Sequence, residues 1–69
     1  MKTPTEWFHF MSDTEKDEMF QWVVEGLRGT HRDFVESLWD RWTASGALSE
    51  KQIHALKTYH DNKGKGKFY

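Results

Sequence analysis

Cysteine is absent from the 69 residues, which excludes disulfides, thiolate nucleophiles and cysteine-ligated zinc together. Proline occurs once, and no stretch alternates apolar and polar residues, so no strand or hairpin is signalled. No apolar run nears the roughly 18 residues of a membrane span. The first residues lack the layout of a signal peptide. A soluble, cytoplasmic protein without a membrane partner is therefore expected. Neither sign of charge dominates, since ten Lys and Arg face eleven Asp and Glu. A nucleic-acid mimic would need many more acids. A dedicated duplex binder would have a pI above about 9, against about 6.4 here.

What is abundant is aromatic surface. Phe, Trp and Tyr make up 16% of the chain, with four Trp, although the mean hydropathy is only −0.90. Disordered chains are poor in such groups, so a packed domain is expected. The length allows one domain, whose single core supplies no more than about 3–5 kcal/mol.

Helix punctuation recurs along the chain. Thr3, Pro4 and Glu6 read as N-cap, first-turn proline and the acid of a capping box. Ser12 with Glu15 forms a second box, and Ser49 with Gln52 another. Thr30 reads as a further N-cap, with Asp33 near the positive end of the helix dipole. Gly29 and Gly46 suit the left-handed position that ends helices. Apolar spacing agrees: Met19, Phe20, Val23, Val24 and Leu27 form one stripe, and Phe34, Val35, Leu38, Trp39 and Trp42 repeat it. Narrower stripes run through Trp7, Phe8 and Met11, and through Ile53, Leu56 and Tyr59 or His60.

These signals predict an all-α, compact minidomain of three to four helices, at about 4–11, 13–28, 31–45 and 50–60. The short connection at Gly29-Thr30 makes the two long helices antiparallel neighbours. Residues 1–60 form the single helical domain. Residues 61–69, DNKGKGKFY, read as a flexible basic and aromatic tail.

The pattern Phe34-x-x-Ser37-Leu38 followed by Gly46-x-Leu48-Ser49-x-Lys51-Gln52-x-x-x-Leu56 resembles a helix–turn–helix-pair segment of small, mostly uncharacterised phage and prophage proteins. The resemblance covers about a third of the chain. It implies a phage-like origin, hence the cytoplasm of a host cell, and proximity to nucleic-acid metabolism. No catalytic residue comes with it.

The remaining residues offer few chemical constellations. His9, His31, His54 and His60 never fall three or four apart, so no metal site is expected. His60-Asp61 reads as a helix end, where a cationic imidazole meets the dipole. Ser12 and Ser49 serve as caps, and no Gly-x-Ser-x-Gly elbow exists. Glu36 and Asp40, near Arg32 and Arg41, read as a solvated helix face rather than an acid–base pair. Gly64-Lys65-Gly66-Lys67 lacks the strand, helix and hydroxyl of a phosphate loop. A bundle this small also leaves little room for a ligand pocket of roughly 300 Å3. No enzyme activity and no cofactor are expected.

Charge is nevertheless unevenly placed. Residues 1–27 carry two Lys and six acids, whereas residues 49–69 carry five Lys and two acids. Trp22 stands apart from the stripes, about 130° from the centre of the Met19–Leu27 stripe on a helical wheel. Either the first helix covers it, with Gly26 allowing close approach, or it is exposed as a docking residue. The expected function is a small non-catalytic regulator or inhibitor that docks an aromatic-rich face on a larger host protein. Trp7, Phe8, Phe10 and Trp22 are the candidate contacts, and self-association through the same face is an option. The alternative is an accessory nucleic-acid binder using Lys57, Lys63, Lys65, Lys67, Phe68 and Tyr69, whose cations would meet phosphates while the rings stack on bases.

Overall fold

A computed structural model describes residues 3–66. It contains four helices: α1 Pro4–His9, α2 Asp13–Glu25, α3 Gly29–Ser45 and α4 Glu50–Gly64, with no strand among the described residues. The architecture is the expected all-α minidomain.

Three of the four starts are those the sequence signals. The Thr3 hydroxyl accepts from the Glu6 amide at 3.2 Å, with Pro4 in the first turn. At Ser12 the box is reciprocal: the hydroxyl accepts from the Glu15 amide while the Glu15 carboxylate accepts from the Ser12 amide, each at 3.2 Å. Ser49 and Gln52 repeat the arrangement at 3.2 and 2.8 Å. Each box satisfies amides that a helix start leaves unpaired.

The α2–α3 connection differs from the expectation. Helix α2 ends at Glu25, and Gly26 and Leu27 donate to the carbonyls of Val23 and Val24 three residues back. That tightened turn brings Leu27 into the core outside the helix. Arg28 then occupies the N-cap position of α3 without a side-chain cap, and Thr30 is not the cap. Gly29, at φ 61°, makes the sharp entry itself, so Thr30 already lies in the first turn. At the other end of α3, Gly46 takes the expected left-handed conformation at φ 76°, its amide donating to the Trp42 carbonyl.

Helix α4 was expected to end near residue 60 and instead runs to Gly64. Asp61, Asn62 and Lys63 are thereby helical residues, and the Lys65 amide closes the end on the carbonyls of Asp61 and Asn62. Two contacts accompany the extension: Lys57 and Asp61 pair one turn apart within the helix, and Lys63 reaches across to α2, so together they outweigh the turn-like composition of this segment. Lys67, Phe68 and Tyr69 lie outside the described residues.

Helices α2 and α3 form the expected antiparallel hairpin. Phe20 stacks on Trp39 with ring centroids 5.8 Å apart and contacts Trp42 at 5.7 Å, while the Trp39 indole N–H donates to Asp17. Helix α4 packs back against α1 and α2. The core comprises Phe8, Phe20, Val23, Val35, Leu38, Ile53 and Leu56, supported by Met19, Val24 and Leu27. Two aromatic placements differ from expectation. Phe8 is only 1% exposed, its ring edge on Phe20, and so is a core residue, as its stripe implies, rather than a partner contact. Phe34 is 41% exposed and leans on Tyr59. It sits about 90° from the centre of the Val35–Leu38–Trp39–Trp42 stripe, too far round to be buried.

Candidate docking surface

Helix α4 presents Lys57, His60 and Lys63 at successive intervals of three residues, on the side that meets α1 and α2. The Lys57 ammonium stands 5.2 Å from the centroid of the Trp7 ring. His60 lies between two indoles, 5.1 Å from Trp7 and 5.2 Å from Trp22, each inclined at 55°. The Lys63 ammonium sits 4.4 Å over Trp22 and donates to the Trp22 carbonyl. A side chain at Gly26 would meet the Lys63 stem, with a Cβ only 2.8 Å from its Cδ. The close approach that Gly26 permits is therefore made by Lys63. Helix α1 does not cover Trp22; α4 supports it from one side and leaves it 40% exposed.

Beside Trp22 is a surface depression of about 480 Å3 lined by Met11, Glu15, Glu18, Met19, Trp22 and His60. Its methionines, tryptophan and imidazole come from the α1–α2 turn, α2 and α4, and two carboxylates edge it. Phe10, at the end of α1, is 68% exposed and precedes Met11, though it does not line the depression. The expected contacts thus separate. Trp7 and Trp22 are brought together through His60, Phe10 is exposed at the end of α1, and Phe8 is in the core.

A second groove, about 660 Å3, runs between α2 and α3 past Gln21, Val24, Glu25, Arg32, Glu36, Trp39 and Asp40. Both grooves exceed the volume expected for so small a bundle, and both are open surface features. In the second, Arg32 pairs with Glu36 at 2.7 Å across one helical turn, with both side chains substantially exposed. This is the solvated charged face expected of α3. The Ser37 and Ser45 hydroxyls donate to the Phe34 and Arg41 carbonyls of the same helix. Among the described residues, no three His, Asp or Glu side chains are grouped to hold a metal ion. No described helix is long and apolar enough to cross a membrane.

His60 is inside α4 rather than at its end, a consequence of the longer helix. Its Nδ1 lies 3.4 Å from Asp61, whose carboxylate accepts from Lys57 at 2.7 Å. The Lys57 bond holds the Asp61 carboxyl below its ordinary value near 3.8, with His60 acting in the same direction and partial burial opposing both. His31 and Tyr59 meet at 2.8 Å across the α3–α4 seam.

The alternative basic set is divided in the same way. Lys57 is engaged by Asp61 and Trp7, and Lys63 by Trp22. Lys65 is exposed at the end of α4. Sequence reasoning did not find the roles of His60 and Lys63 or the Met11–Met19 floor. The available signal was the spacing of 57, 60 and 63, which aligns only once the helix is continued past Asp61. Compared with known proteins, the chain matches no family model, no curated protein and no solved structure.

Proposed function

We propose that this protein is a small non-catalytic binding protein, a regulator or inhibitor that docks on a larger host protein through the surface around Trp22. The observation that carries the reading is a 40%-exposed tryptophan held against His60 and Lys63 at the edge of a methionine-lined depression. Tryptophan is enriched among the residues that dominate interface energies, and methionine adapts to varied partner shapes. A ring already fixed by α4 loses little side-chain freedom on binding. Trp22 is the central contact, Phe10 an outlying one, and Trp7 supports Trp22 through His60. The resemblance of the Phe34–Leu56 segment to phage and prophage proteins supports an origin of that kind. A host-cell partner in the cytoplasm, connected with nucleic-acid metabolism, follows from the same resemblance.

The test is capture from host lysate at near-physiological salt, with and without nuclease, using the full chain and three variants. Trp22→Gln and Phe10→Ser probe the docking surface, and Lys65→Gln/Lys67→Gln probes the basic end. A protein retained through nuclease treatment and by the lysine variant, but lost with Trp22→Gln, supports the proposal. Recovery that disappears with nuclease or with the lysine variant supports accessory nucleic-acid binding instead. Self-association through the same surface would appear as Trp22-dependent dimerisation of the purified chain.

A further inference from the structure

The charges around the depression specify what kind of segment could occupy it. Helix α2 carries Asp13, Glu15, Asp17, Glu18 and Glu25 against a single Lys16. That lysine is held over the Phe8 ring, with 4.8 Å between its ammonium and the ring centroid. Asp17 accepts from Trp39 and Glu25 from Gln21, whereas Glu18 makes no hydrogen bond or ion pair with another described residue. Glu18 and Glu15 both edge the Met11–Met19 floor. The Lys63 ammonium sits over the Trp22 ring but does not line the depression, so the two carboxylates set the charge at its edge. A phosphate backbone, an anionic lipid surface or an acidic peptide would bring like charge against these carboxylates, which is costly when the surfaces dehydrate. A cationic segment would gain from both the carboxylates and the remaining indole surface.

Resting on the docking surface proposed above, we infer that the depression receives a cationic segment of the partner protein. An aliphatic or aromatic anchor of that segment packs on Met11, Met19 and Trp22. Flanking lysine or arginine side chains meet Glu18 and Glu15. The apolar anchor supplies most of the affinity, and the charges set orientation, association rate and the exclusion of acidic competitors.

The probe is a library of short random peptides displayed individually and selected on the immobilised full-length protein. Enriched peptides are then measured against the parent chain, Trp22→Gln and Glu18→Lys. Helical circular dichroism of each variant establishes that it is folded. The expected result is enrichment of net-positive peptides carrying an apolar anchor. Their binding should be lost with Trp22→Gln, weaken at least about tenfold with Glu18→Lys, and weaken as salt rises from about 50 to about 300 mM. Neutral or acidic peptides that still depend on Trp22 would overturn the charge inference while leaving the docking surface standing. Cationic peptides that bind Glu18→Lys as tightly as the parent would overturn it as well. Enrichment with no dependence on Trp22 would remove both proposals.

Discussion

His60 joins three helices at a single ring. It belongs to α4 and touches Trp7 of α1 and Trp22 of α2, so its removal breaks two aromatic contacts at once. At about 0.5–1.5 kcal/mol for such a pair, His60→Ala should cost about 1–2 kcal/mol in urea unfolding. It should also raise the accessibility of Trp22 to a fluorescence quencher, and unchanged quenching would contradict the contact. Next to it, Asp61 contributes in a pH-dependent way. Its folded-state pKa lies below the ordinary value near 3.8, so its stabilising effect is present above that value and is lost as pH falls through the lower one. Its side chain is 41% exposed, and solvent screening limits such a pair to less than about 1 kcal/mol. Asp61→Asn should therefore trail the parent by that much from neutral pH down to about pH 4, with the gap closing in stronger acid. A gap that persists unchanged at about pH 2 would show that the loss is not electrostatic.

The helix ends show which features could be read from sequence. Ser12, Ser49 and Gly46 act through neighbours within four residues, so the caps they make were legible as strings of letters. Thr30 was misleading because the deciding residue was Gly29, whose positive φ starts α3 before a threonine cap is needed. Segment 61–64 has a turn-like composition, and although the Lys57–Asp61 spacing is local, the contact of Lys63 with α2 is encoded by no local pattern. Two glycines separate these cases. Gly46 is left-handed, and Gly46→Ala should cost about 1–2 kcal/mol in thermal or urea unfolding. Gly64 is helical with open space around it. Gly64→Ala should instead be neutral or stabilise by up to about 1 kcal/mol. A destabilised Gly64→Ala would contradict a helix that continues to that residue.

At the scale of the whole molecule, a small core is surrounded by more aromatic surface than it can enclose. Phe8 and Phe20 are buried, Trp39 and Trp42 cover Phe20, and Phe10, Trp22 and Phe34 retain substantial exposure. The all-α class and the core stripes were legible because they depend on periodicity. Trp22 was legible as an outlier from its stripe. What covers one side of it was not, because Lys63 lies 41 residues away in sequence and meets it only in the folded chain. Charge is segregated too: the acids of α2 edge the depression while most lysines lie from Lys51 onward. The surface around Trp22 thus combines an anchored aromatic ring, methionines and carboxylates. The most direct test of its role measures unfolding and partner affinity on the same Trp22→Gln protein. The account predicts a folded chain destabilised by less than about 2 kcal/mol, since the ring is only partly buried, together with loss of partner binding. An unfolded variant would make Trp22 a structural residue, and a folded variant with undiminished affinity would place the docking surface elsewhere.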